Sequence, residues 1–299
     1  MKRAFLTGSL LMLFFFAACG RCASQPIVVS DGLGRTVRLE GPAEKVVSLN
    51  PSATEIIFGM AEGRRLTGIT QFCSFPDQLP SSVNIGTVLD PDEERILALR
   101  PDLVIATVEG NRKKTVDLLE KAGLKVFVMG KISSFNDLAV RIREVGYLIG
   151  CEDKALEVIN AVTSDINDVR QKTRHQAVKR VFVQIGFKPL VTVNGSTIIN
   201  EMIEYAGGLN VAEGSQVRYP VYSKEAVAAE DPDVIMVVAM GQDAGAAIRE
   251  WKDMEAMRAV RDGRIFCIDA NIVCNNGPRL AYGVEEMARI LHPEVFQNE

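Results

Sequence analysis

Two stretches of the chain carry the same succession of polar and apolar positions. Residues 94–111 (ERILALRPDLVIATVEGN) and 225–242 (EAVAAEDPDVIMVVAMGQ) align at a constant offset of 131 residues without a gap. Glu94, Ala98, Pro101, Asp102 and Gly110 return as Glu225, Ala229, Pro232, Asp233 and Gly241, and the apolar run LVIA returns as VIMV. Each copy reads as a short helix with an acid in its first turn, a Pro-Asp break and a buried strand. A Val/Ile-rich run of this length suits a parallel strand covered on both faces. The duplication therefore predicts an α/β protein of two similar lobes, with a function that needs both.

The flanking patterns fill in each lobe. Ile27 to Leu39 has two β-prone runs around Asp31-Gly32-Leu33-Gly34 and reads as a hairpin. Lys45 to Asn50 is a strand stopped by Pro51, and Ser52-Ala-Thr-Glu55 fits a capping box, so a helix N-terminus follows the strand directly. Leu66 to Thr70 gives another strand. Asp90-Pro91-Asp92-Glu93 starts the first repeat helix, with Asp90 as cap and Pro91 at the first helical position. A helix from Lys113 to Lys121, a strand from Leu124 to Met129 and a helix from Phe135 to Ile149 follow. After the midpoint come strands at Lys179 to Ile185 and Leu190 to Val193, and a helix at Thr197 to Tyr205. The second repeat copy, a strand at Arg264 to Asp269, a polar loop at Asn271 to Arg279 and a helix at Leu280 to Leu291 complete the chain.

The segment between the copies differs in kind. From Glu152 to Arg174, Ala155, Ile159, Val162, Ile166 and Val169 recur at alternating spacings of four and three with no Gly or Pro. That is the period of one long helix, about 35 Å at 1.5 Å per residue. A flexible linker would show Gly, Ser or Pro instead.

The N-terminus changes the picture. Met1-Lys2-Arg3 is basic, Ala4 to Ala18 is apolar and Cys19-Gly20 follows, the tripartite plan of an export signal. The run is shorter than the ~20 residues a bilayer span needs. Small residues before a cysteine resemble a bacterial lipobox, although Phe16 departs from the usual Leu, and predict cleavage before Cys19 with lipid attached to it. Ordinary cleavage near Ser24 is the alternative. Either way the mature chain works outside the cytoplasm, where disulfides are permitted. Cys22, Cys73, Cys151, Cys267 and Cys274 are an odd set once Cys19 is lipidated; Cys267 and Cys274 are the nearest pair for a bridge, and buried thiols are equally acceptable.

The 299 residues suit about two domains, and 47% hydrophobic with 24% charged residues suits two packed cores. A net charge of −4 with no basic patch argues against a nucleic-acid partner. No GxSxG, HExxH, Walker A or GxGxxG signature supports an enzyme. Asp102 and Asp233 follow prolines at strand entry and suit turns better than a catalytic pair. With two histidines only, His175 and His292, both near helix ends, a bare-metal receptor lacks its ligands.

Taken in order, DGLGRTVRL, KVVSLNPSATE, ERILALRPDLVIA, the long helix, NEMIEYAGGLN and GPRLAYGVEEMARILHP resemble the substrate-binding proteins of bacterial ABC importers for cobalamin and ferric siderophores. The resemblance covers nearly the whole mature chain and is nearest to the cobalamin receptors, through GITQFCSFPDQLP and the first repeat. It implies two Rossmann-like α/β lobes joined by one rigid helix. The implied division is a lipoprotein signal peptide at 1–18, a lipidated tether at 19–26, an N-terminal lobe at 27–151, the linker helix at 152–174 and a C-terminal lobe at 175–299.

The resemblance also implies a function: an extracytoplasmic lipoprotein, monomeric and non-enzymatic, anchored to the membrane by its lipid alone. It would hold a metal chelate between its lobes, with no cofactor of its own, and deliver it to a permease dimer with ATPase subunits. A corrinoid such as cobalamin is favoured; a ferric siderophore or haem is the alternative within the family, and an exported sensor without transport is the alternative outside it. One glutamate per lobe docks on the permease, and the matching positions are Glu94 and Glu225. Cleft residues are expected in the loops after strand ends: Phe72, Phe75, Thr107 and Asn111 in the first lobe, and Phe187, Tyr219, Tyr222 and Asn271 in the second. Phe72 and Tyr219 fall where cobalamin receptors have aromatic residues. The chain departs from them in having a single tryptophan, Trp251, outside these loops, and a threonine at 107.

Overall fold

A computed structural model describes residues 25–71, 73, 82–239 and 244–297. The first lobe opens with the expected hairpin, β1 (Ile27–Ser30) antiparallel to β2 (Thr36–Leu39). Asp31 closes its turn by accepting from the Leu33 and Arg35 amides. Then follow β3 (Val46–Ser48), α1 (Pro51–Gly59), β4 (Leu66–Ile69), β5 (Val83–Asn84), α2 (Glu93–Leu99), β6 (Leu103–Thr107), α3 (Lys113–Lys121), β7 (Val126–Met129) and α4 (Phe135–Leu148). The five strands form a parallel sheet in the order β5-β4-β3-β6-β7. All five residues of β6 are buried, as a strand covered on both faces requires.

The long helix α5 (Glu152–Thr173) comes next and buries Ala155, Val162, Ile166, Val169 and Thr173 along one stripe. The second lobe comprises β8 (Lys179–Gln184), α6 (Ile198–Tyr205), β9 (Gly208–Asn210), α7 (Lys224–Glu230), β10 (Val234–Ala239), α8 (Ala244–Lys252), α9 (Arg258–Arg261), β11 (Ile265–Asp269), α10 (Ala270–Val273) and α11 (Leu280–Leu291). Its parallel sheet runs β11-β10-β8-β9, the order of β7-β6-β3-β4 in the first lobe.

The duplication extends beyond the stretch visible in the sequence. α2 and α7 are related by the 131-residue offset at both ends (93 to 224, 99 to 230), and so are α3 and α8 (113 to 244, 121 to 252). The caps correspond too: Asp92 accepts from the Arg95 amide and Ser223 from the Ala226 amide. Both helices end on a left-handed residue, Arg100 at φ 46° and Asp231 at φ 40°. Asp102 and Asp233 tie the adjacent strand, accepting from the Glu44 and Lys45 amides and from the Arg180 amide respectively.

α5 packs on α4 and α11, and one apolar core runs unbroken from Val46 and Ile56 through Ala155, Val162 and Ile166 to Val181 and Met287. Opening the lobes far would expose that core, so the junction is stiff.

Four sequence expectations are corrected. Asn50, not Ser52, caps α1, its Oδ1 accepting from the Ser52 amide at 3.0 Å. Glu55 is instead drawn into the second lobe's Arg279, whose amide it accepts at 2.8 Å and whose guanidinium lies 3.1 Å away. Asp92, not Asp90, caps α2. Residues 190–193 make only isolated bridges, Val191 to Gly186 and to Val221, where a strand was expected. Cys73, Cys151, Cys267 and Cys274 are all free, with Cys267 exposed on β11, so no Cys267–Cys274 bridge exists.

Candidate functional site

In the first sheet the strand order reverses between β3 and β6, the switch point at which open α/β sheets present their ligand crevice. The chain leaving β3 delivers Asn50, Pro51 and Ser52 there, and the chain leaving β6 delivers Thr107 to Gly110. Asn50 Nδ2 donates to Thr107 Oγ1 at 3.2 Å, fixing the two strand ends to each other. Gly110 leaves room for this contact: a Cβ on it would stand 2.7 Å from Asn50 Nδ2 and 2.9 Å from Thr107 Oγ1, so one of these side chains would have to shift. These residues, with Met129, Gly130 and Ile132, face Tyr219 and Cys274 to Asn276 of the second lobe across a cavity of about 450 Å³. A further space of about 220 Å³ between Ile132 and Ile185, Ile198, Ile199 and Arg218 shares Ile132, Tyr219, Cys274 and Asn276 with it, so the two form one interlobe cleft. Its size is that of a small-molecule site.

One cation crosses the cleft. Arg218 Nη1 donates to Ser133 Oγ at 3.2 Å, its Nη2 lies 3.6 Å from Glu109 Oε1, and its guanidinium carbon sits 5.4 Å from the Tyr219 ring centre. Burial pushes the Glu109 carboxyl above its ordinary range, partly offset by the Arg218 charge. Burial also pushes the Cys274 thiol up to about 11, so it faces the cleft as a neutral group. Among the described residues no cluster of His, Cys, Asp and Glu could hold a metal ion.

A family model described as "Periplasmic binding protein" matches residues 46–272. The chain belongs to that family. It is 28% identical, over 99% of its own length and 99% of the relative's, to a Bacillus subtilis (strain 168) protein named "Uncharacterized ABC transporter substrate-binding lipoprotein YvrC". It is 29% identical over 65% of its length, and 69% of the relative's, to the vitamin B12-binding protein of Yersinia pestis (strain Pestoides F). The solved structure of the periplasmic haem-binding protein RhuT from Roseiflexus sp. RS-1, in apo form, has the same fold, with a TM-score of 0.76 at 24% identity over 85% of this chain and 99% of that one.

Of the eight residues singled out in the sequence, the structure brings Thr107 and Tyr219 together on opposite walls of the cleft. Phe72 and Phe75 lie outside the described residues. Asn111 is a loop tie: it accepts from the Thr107 amide and donates to the carbonyls of Leu49 and Val88. Phe187 and Tyr222 pack on the core of the second lobe, Tyr222 with its ring 5.9 Å from that of Phe182. Asn271 is bound to the cap of α10, donating to Asp269. Trp251 is buried in the same core and donates Nε1 to Gln184 Oε1 at 2.7 Å. Asn50, Glu109, Arg218 and Asn276 also line the cleft and were not anticipated. For Asn50 a signal existed, since it sits between a strand end and the helix-starting Pro51.

Glu94 and Glu225 occupy the second position of α2 and α7. Both are exposed, and neither makes an ion pair among the described residues. Cys19 lies outside the described residues, and no described helix is long and apolar enough to cross a membrane.

Proposed function

We propose that this protein is the extracytoplasmic substrate-binding lipoprotein of an ABC importer, anchored through Cys19, that captures a metal chelate between its lobes and hands it to the permease. The single observation that carries the proposal is the interlobe cleft at the switch point, with Thr107 and Tyr219 on facing walls and a stiff α5 behind it. The names of the relatives support importer and lipoprotein status, and the Yersinia protein favours a corrinoid as the chelate. The haem-binding neighbour keeps haem as the second reading. Glu94 and Glu225, matched in position, cap geometry and exposure, are proposed to dock on two equivalent permease subunits.

The test is calorimetric titration of a soluble form starting at Ser24 with cobalamin, cobinamide, haem and a set of ferric siderophores. Saturable one-to-one binding of a corrinoid is expected. Binding of haem or a siderophore alone discards the corrinoid, and silence across the panel from folded protein discards the chelate.

A further inference from the structure

Arg218 is under-used by the protein that holds it. A guanidinium carries five N–H donors. In the described structure Arg218 makes one hydrogen bond, to Ser133; its Nε is buried without a partner, and Glu109 stands at 3.6 Å, ion-pair distance without a hydrogen bond. The side chain is only 19% exposed, so water does little to satisfy the remaining donors. Arg65, by contrast, donates to Glu62 and to the Ala43 carbonyl and pairs with Glu44. Arg218 itself lines the cleft.

Four isoleucines, Ile132, Ile185, Ile198 and Ile199, line the same part of the cleft. Tyr219, next in the chain, is 47% exposed and lines the same space. An apolar wall with one incompletely bonded cation beside it suits a ligand that is apolar over its face and carries a pendant anion at its edge.

We propose that Arg218 is the specificity-determining residue of the cleft, binding a carboxylate or phosphate that hangs from the chelate through its unused N–H groups. Glu109 holds the guanidinium in register while the cleft is empty, and the ligand's anion replaces that long contact with a bidentate one. This inference rests on the chelate-binding reading above, and the test separates the two.

Cobalamin and cobinamide share the corrin ring, but only cobalamin has the nucleotide loop with its phosphodiester; haem offers carboxylates. Dissociation constants for all three are measured by calorimetry on the wild type, on Arg218→Met and on Arg218→Lys, each checked by thermal melting. Loss of charge-assisted hydrogen bonds should weaken Arg218→Met binding of an anion-bearing ligand by about ten- to a hundredfold. Cobinamide binding should change less than about twofold, because no such bond is lost. Arg218→Lys keeps the charge without the planar fork and should show a smaller loss confined to the same ligands. If Arg218→Met weakens cobalamin and cobinamide equally, or neither, the inference is overturned while the corrinoid reading stands. If only haem binds, and does so in an Arg218-dependent way, the inference stands and the corrinoid falls. Silence of the wild type toward the whole panel overturns both.

Discussion

Glu62 ties the first lobe to the long helix, and replacing it tests how far that joint depends on charge. The carboxylate is buried, with 4% of its side chain exposed. It accepts from Lys154 of α5 at 2.7 Å, from Arg65 at 2.9 Å and from Arg64 at 3.2 Å. Burial raises its pKa, but the three hydrogen bonds outweigh burial and bring it down to about 2 from an ordinary 4.5. At ~1.4 kcal/mol per pH unit the shift corresponds to about 3 kcal/mol at neutral pH, and the partial exposure of Lys154 trims this toward about 2 kcal/mol. The folded value is lowered, so this stability is present above the unfolded value and is lost as pH falls through the folded one. Urea unfolding at pH 7 and pH 3 should show Glu62→Gln destabilised by about 2 to 3 kcal/mol at pH 7, with the gap narrowing by at least ~1 kcal/mol at pH 3. A cost under about 1 kcal/mol at pH 7, or parallel pH dependence of the two proteins, would refute the account of this joint.

Other perturbations address the site and the cores. Gly110→Ala forces a methyl group against Asn50 and Thr107 and should cost about 1 to 3 kcal/mol in urea unfolding while weakening ligand binding; an unchanged melting curve would show that the two strand ends can part freely. Glu94→Lys combined with Glu225→Lys should abolish uptake in cells and leave ligand affinity in solution as it was, and undiminished uptake would count against docking through these acids. Trp251→Phe leaves the buried Gln184 oxygen without its donor and should cost about 1 to 3 kcal/mol, read by circular dichroism because the substitution removes the chain's single indole.

What the sequence made legible was local or repeated. The period of residues 152–174 produced α5 within a residue, because an uninterrupted spacing of four and three has no competing structure. The hairpin followed from turn chemistry and both repeat helices from the duplicated pattern, although the cap of the first lies two residues beyond the expected Asp90. The misses have distant causes. Glu55 looked like half of a capping box until Arg279, 224 positions later, took its carboxylate. β9 was passed over because Gly208-Leu209-Asn210 has no β-prone run; its alignment beside β8 comes from tertiary packing. Tyr222 and Phe187 satisfied the rule that cleft residues follow strand ends, but an aromatic in such a loop can turn inward as easily as outward, and both turned toward the core around Phe182. Arg218 and Glu109 meet across the cleft from different lobes, a pairing for which neither neighbourhood carries a local sign.

The offset of 131 residues separates two kinds of surface. At the outer face it has kept its content: Glu94 and Glu225 share residue type, helix position, cap geometry and exposure. In the cleft it has not. The positions that answer Thr107, Glu109 and Asn111 in the second copy are Val238, Met240 and Gln242, and the second lobe meets the cavity through Arg218, Tyr219 and Asn276 from outside the repeat. A partner that is itself two-fold symmetric presents the same chemistry to both lobes and holds their outer faces alike. A ligand without that symmetry presents different chemistry to each inner wall and leaves no reason for them to match. The duplicated chain thus has the form expected of a receptor with a symmetric customer outside and an asymmetric one between its lobes, and a charge reversal at Glu94 alone should therefore impair uptake by the same factor as one at Glu225.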